Sequence, residues 1–162
     1  MDAEKSVISP LKAWVLAARP KTLAGAAVPV MVGCALARMD GGFRFLPAVL
    51  CFLFAFLMQI DANFINDLYD FIRGSDRKDR LGPERACAQG WITVNGMKRG
   101  IAVTTVVACM TGSGLLFYGG PILILIGAAC VVFAFLYTAG PYPLAYYGWG
   151  DLLVVVFSDS CR

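Results

Sequence analysis

Histidine is missing altogether from the 162 residues, and charge is scarce, with Asp, Glu, Lys and Arg making up 15% of the chain. An ordinary soluble protein carries about 25%. Each absence removes a class of function. Without imidazole there is no histidine general base and no histidine zinc ligand. The six cysteines (Cys34, Cys51, Cys87, Cys109, Cys130 and Cys161) contain no Cys-x-x-Cys pair. Most of them lie in apolar runs, where a thiol packs as a small hydrophobe. A bound metal must then be held by oxygen, which favours Mg2+ or Mn2+ over Zn2+. The basic N-terminal residues Lys5, Lys12, Arg19 and Lys21 are not followed by a short apolar core and a small-residue cleavage site. No cleaved signal peptide is therefore expected. No internal repeat or low-complexity tract occurs either.

Apolar residues are what the chain has in abundance, at 59% against about 45–50% in a soluble protein. Apolar runs approaching the roughly 20 residues that cross a bilayer recur along it, which predicts an all-α integral membrane protein forming one domain over residues 1–162. The net charge of +3 does not point to nucleic acid, because the basic residues flank apolar runs as membrane topology requires. Four complete transmembrane helices are expected: about Thr22 to Ala37, extended at its start by "AWVLAARP"; Phe45 to about Asp70; about Ile101 to Tyr118; and about Pro121 to Thr138. The short linkers "RMDGGFR" and "YGGP" make antiparallel hairpins of the first and second pairs. A fifth segment begins near Leu144 and reaches only "SDSCR", so a truncated fifth helix and a shortened or frame-shifted product are expected. Four basic residues precede the first span and seven lie between Arg73 and Arg99. The N-terminus and the 71–99 loop are accordingly expected on the cytoplasmic side of a cell inner membrane.

Charge gathers at one place, "NDLYDFIRGSDRKDRLGP" at residues 66–83, directly behind an apolar run. At 3.6 residues per turn, Gln59, Asn63, Asn66, Asp67 and Asp70 share one helix face. That polar stripe becomes anionic at its cytoplasmic end, and charge within a span faces a bundle interior or a water-filled cavity. Hard oxygen donors in this pattern, Asn66, Asp67 and Asp70, suit Mg2+, which takes one or two carboxylates and fills its octahedron with water and phosphate oxygens. Beyond Gly74 the loop supplies Arg73, Asp76, Arg77, Lys78, Asp79, Arg80 and Arg85. Arg grips phosphate with a bidentate fork and Lys as a point charge, so metal-binding carboxylates among cations suggest a lipid diphosphate. The bland reading is a solvated helix end followed by a positive-inside loop; it does not call for a stripe running inward to Gln59. Asp61 lies about 200° around the helix from Gln59 and is expected to snorkel or meet a neighbouring helix, with no catalytic role.

The run Asn66-Asp67-Leu-Tyr-Asp70 with Asp76 resembles the first aspartate-rich motif, NDxxD followed by a further Asp, of the UbiA superfamily of membrane prenyltransferases. The flanking "QIDANFIND" and "GSDRKDRLGPER", and the early "ARPKTLAGAAVPVMVGCALA", are similar to its branch that acts on 1,4-dihydroxy-2-naphthoate in menaquinone biosynthesis. The resemblance covers about residues 12–157. It implies a nine-helix bundle around a cavity with two aspartate-rich motifs, each associated with Mg2+, of which this chain has the first. The substrates implied are a polyprenyl diphosphate and 1,4-dihydroxy-2-naphthoate, within a lipid bilayer and without nucleic acid.

The resemblance also implies roles. Asp67 and Asp70, with Asn66, would hold Mg2+ and act in catalysis. Asn63, Lys21, Arg73, Asp76, Lys78, Arg80 and Arg85 would bind substrate, and Phe52, Phe56, Phe133 and Phe135 would flank the isoprenoid tail. Allylic C–O cleavage would give a carbocation-like prenyl group, which the naphthoate ring attacks at its carboxylate-bearing carbon with loss of CO2, giving demethylmenaquinone. With one motif only, the isolated chain is expected to be inactive. Alternatives are another UbiA-type enzyme with a 4-hydroxybenzoate, haem or chlorophyllide acceptor, and an inactive membrane fragment. A CDP-alcohol phosphatidyltransferase would need a DG, AR and paired-aspartate pattern that is absent.

Overall fold

Arg19 adopts the left-handed conformation (φ 52°, ψ 70°), alone among the described non-glycine residues in having positive φ. The following Pro20 disfavours the right-handed helical conformation at the residue before it, so the continuous apolar run expected through "AWVLAARP" is broken into two helices. Those are α1, Pro10–Ala18, and α2, Pro20–Met39, each opening on a proline. The computed structural model describes residues 8–74 and 85–139, with side chains as far as 132. The further elements are α3, Phe45–Ile72; α4, Val94–Gly119; and α5, Ile122–Ala139. All five elements are helices, and the described residues contain no strand.

Three of these helices, α2, α3 and α4, are long and apolar enough to cross a membrane. The 18 residues of α5 fall just short of the usual crossing length. The segment expected from Leu144 lies outside the described residues. At 28 residues and a rise of 1.5 Å each, α3 is about 42 Å long, exceeding a hydrocarbon core of about 30 Å. The surplus is its polar C-terminal end.

α3 is the axis of the molecule, packing against α1, α2, α4 and α5. Its contact with α4 uses small residues. The Phe54 ring lies where a Cβ on Gly112 would sit 3.2 Å away, and Leu50 comes as close as 3.4 Å to that position at Gly114. Close backbone approach of this kind is how membrane helices gain packing energy. α2, by contrast, buries no residue at all.

The buried core sits at one end. Ala13 and Ala17 of α1 meet Phe64, Ile65 and Leu68 of α3, Ala86, Cys87 and Ile92 of the 85–93 connection, and Met97 and Ile101 of α4. Trp14 seals it, edge-on to Phe64 with ring centroids 5.3 Å apart. Its ring also lies so close to Gly100 that a Cβ there would come within 2.6 Å. At the opposite end α2, α3, α4 and α5 line an open apolar cleft of about 1370 Å³.

Candidate active site

The polar stripe of α3 runs into the buried core. Gln59 and Asn66 are partly buried, while Asn63, Asp67 and Asp70 are buried. Each buried polar group has an identifiable partner. Asn63 donates both amide hydrogens, to the Ala18 carbonyl and to Thr22 Oγ1, each at 2.9 Å. Those acceptors stand on either side of the Arg19 break, so Asn63 satisfies a carbonyl that the end of α1 leaves without a helical partner. Asn63, expected at the substrate, also ties the end of α1 and the start of α2 to α3.

Asp67 is 1% exposed. The Ala86 N–H donates to its Oδ2 at 2.8 Å and the Cys87 N–H to its Oδ1 at 3.0 Å. One turn further along α3, Asp70 forms a buried ion pair with the Arg85 guanidinium. The stretch that supplies these donors is itself a closed turn. Arg85 O accepts from Gln89 N–H at 3.0 Å, Ala86 O accepts from Trp91 N–H at 2.9 Å, and Gly90 takes the left-handed φ of 72°. Sequence periodicity brings Asn66, Asp67 and Asp70 to one face, and the structure adds Arg85 to them from 15 residues away.

The other expected site residues are distributed as follows. Arg73 caps the end of α3, exposed, with its guanidinium 6.0 Å from the centre of the Tyr69 ring. Lys21 is exposed in the first turn of α2. Asp76, Lys78 and Arg80 lie outside the described residues. Asp61, off the stripe, is fully buried and meets α4, where Thr105 donates to its Oδ2 at 2.9 Å. The Phe52 and Phe56 rings meet at a tilt of 51° with centroids 6.0 Å apart. The large cleft is lined instead by Phe54, with Pro29, Cys34, Cys51 and Leu116. The side chains of Phe133 and Phe135 lie outside the described residues.

For a divalent cation, the donor chemistry fits. Two buried carboxylates, Asp67 and Asp70, lie one turn apart on α3, and their donors are hard oxygens. The described residues do not bring three or more His, Cys, Asp or Glu side chains together; the hard donors on this face of α3 are the Asp67 and Asp70 carboxylates and the Asn66 amide. Backbone donors on Asp67 were beyond sequence reasoning, because a main-chain N–H carries no residue signature. The run "DRLGPER" signals cations there without saying which one folds back.

Comparison with known proteins identifies the family. Residues 26–158 match the UbiA prenyltransferase family. The chain is 39% identical over 156 residues to the 1,4-dihydroxy-2-naphthoate octaprenyltransferase of Escherichia coli strain K12, covering 93% of this chain and 51% of that protein. Proteins of the same name from Haemophilus influenzae and Mycobacterium tuberculosis are each 35% identical, over 97% and 89% of this chain and 54% and 49% of theirs. The chain spans about half the length of the curated relatives it matches. No solved structure matches it. A buried NDxxD face on a membrane helix, an arginine folded back onto it and an apolar cleft beyond are therefore features of a chain that belongs to the UbiA prenyltransferase family.

Proposed function

We propose that this chain forms the diphosphate-binding end of a membrane enzyme that transfers a polyprenyl group to 1,4-dihydroxy-2-naphthoate, with decarboxylation, to give demethylmenaquinone. The observation that carries the reading is the buried Asp67–Asp70–Arg85 cluster, joined along α3 to the apolar cleft. From Ala55 at the cleft to Asp67 is twelve residues, about 18 Å of helix. A lipid diphosphate with its head at the cluster extends its tail toward that cleft. The names of the relatives supply the aromatic acceptor.

The Asp70 and Asn66 oxygens would hold Mg2+. Bound there, Mg2+ supplies charge neutralisation for the departing diphosphate. Arg85, with Lys78 and Arg80 of the loop, grips the same phosphate oxygens as negative charge grows on them. The allylic C–O bond breaks with its electron pair going to diphosphate. The naphthoate carbon that bears the carboxylate attacks the cationic prenyl carbon and then loses CO2. Arg73 and Asp76 border the loop, and Lys21 offers a further cation. Phe54 and its neighbours exclude water from the tail.

The chain sits in the bacterial inner membrane with its N-terminus and residues 71–99 on the cytoplasmic side. α5 serves as the fourth span and a helix from about Leu144 as the next, within a nine-helix bundle. Labelling of single-cysteine variants at Ser75 and Gly120 from outside intact cells reads this orientation, and reaction at Ser75 alone would invert it. Binding of a polyprenyl diphosphate to the purified chain in nanodiscs tests the function. Binding should need Mg2+ and be competed by pyrophosphate. Equal binding in the presence of EDTA would overturn the reading.

A further inference from the structure

Asp67 and Asp70 stand three residues apart on the same face of α3, yet they hold different kinds of group. Asp70 takes a side chain, the Arg85 guanidinium. Asp67 takes main chain, with its two oxygens on two consecutive amides, those of Ala86 and Cys87. Two N–H bonds to one carboxylate in a buried setting make a strong, directional clamp. All its members are sealed, with exposures of 1% for Asp67, 1% for Ala86 and 4% for Cys87. Mg2+ usually keeps several of its waters, and a carboxylate so enclosed gives a hydrated cation no approach. Asp70 is more open, at 7%, and Asn66 is only partly buried.

We propose that Asp67 is a positioning residue rather than a metal ligand: it clamps the 86–87 backbone to α3 and so sets the Arg85 guanidinium against Asp70. The turn closed by the Arg85–Gln89 and Ala86–Trp91 bonds moves as one piece, so fixing two of its amides fixes where Arg85 emerges. The registry of the phosphate-gripping cation then comes from the motif's own first carboxylate. This rests on the proposed function for what Arg85 grips, but the clamp itself does not.

Asparagine at 67 keeps the shape and offers one oxygen where two N–H groups need acceptors, placing an NH2 against the other. Cys87 reports the result directly, since its thiol is buried only while the turn is docked. In the full chain with the other five cysteines replaced by alanine, maleimide should label Cys87 at least about tenfold faster in Asp67→Asn than in the parent, as loss of a charged hydrogen bond raises local opening. Ala86→Pro, which spares the carboxylate and removes one donor, should accelerate labelling by a smaller factor. Asp61→Asn should leave it within about twofold, because Asp61 meets Thr105 of α4 and not the turn.

The second readout separates positioning from ligation. In Asp67→Asn, Mn2+ affinity should stay within about threefold while pyrophosphate affinity falls about tenfold or more, the signature of a misplaced cation. Parallel loss of both would make Asp67 a ligand and overturn the proposal. So would unchanged Cys87 labelling in both Asp67→Asn and Ala86→Pro with helicity by circular dichroism intact. A parent that binds neither Mn2+ nor pyrophosphate would sink the reading of the site, and the labelling comparison would then decide the clamp alone.

Discussion

The two halves of α3 obey opposite rules. From Phe45 to Ile60 not one residue is buried, although the stretch is almost wholly apolar; from Asp61 to Asp70 the buried residues include Asp61, Asn63, Asp67 and Asp70. In water the assignment would be reversed. A bilayer solvates Leu and Phe as well as another helix does, so apolar burial gives little reason for helices to close. Carboxylates and amides have no such solvent there and are driven into contact with donors. Order in this molecule is therefore concentrated where the charge is. α1, the 85–93 turn and the start of α4 gather on the polar half of α3, and the apolar half is left bordering an open cleft.

The strongest way to break this comparison is to neutralise the polar end. Asp70→Asn should lower Mg2+-dependent prenyl diphosphate binding by about a hundredfold or more, since it removes a metal oxygen's charge and the buried partner of Arg85 together. Isothermal titration against the parent measures it, and a loss under about threefold would detach the cluster from diphosphate binding. Next in size is a steric test of how tightly that end is packed. A Cβ on Gly100 would meet Trp14 at 2.6 Å, so Gly100→Val should destabilise by about 1–3 kcal/mol, as overpacking does. Thermal unfolding in detergent reads it, and an unchanged Tm would mean that Trp14 moves freely.

The apolar end should respond in a different currency. Leu116→Trp narrows the cleft and should weaken long-chain prenyl diphosphates about tenfold, the scale of a misfit side chain in a packed site. Pyrophosphate affinity should not change. If both ligands weakened equally, the two ends would not be independent. The smallest effect belongs to Asp61, whose Oδ1 has no partner among the described residues. An amide is cheaper to bury than a carboxylate and still accepts from Thr105, so Asp61→Asn should leave binding within about threefold and raise stability by about 1 kcal/mol. A binding loss matching that of Asp70→Asn would mean that the stripe is not the functional face.

Sequence periodicity read the apolar half of α3 and its polar stripe well, because both depend on local spacing: the expected Phe45–Asp70 became Phe45–Ile72. It read α4 as starting at Ile101, whereas the helix begins at Val94 with Thr93 accepting the Gly96 N–H at 3.1 Å. Hydropathy detects the membrane-embedded part of a helix, and the first turns here carry Lys98 and Arg99. The break at Arg19 is hidden because apolar stretches flank Arg19-Pro20-Lys21 on both sides; Pro20 is the available signal. Asn63 and Asp67 are both buried on α3, as their shared face predicts, but the Ala18 carbonyl and the Ala86 and Cys87 amides they bind are main-chain atoms that only the fold brings near.

The central claim, a polar head site and an apolar tail site joined along α3, is tested most directly by photocrosslinking. Geranylgeranyl diphosphate carrying a diazirine at the end far from the phosphates would be irradiated with the chain in nanodiscs and Mg2+, and the adducts mapped by peptide mass spectrometry. The adducts should fall on the cleft walls, in residues 29–37 of α2 and 109–118 of α4, and vanish with Asp70→Asn or excess pyrophosphate. Adducts on residues 85–92, or cleft adducts indifferent to both, would contradict the account.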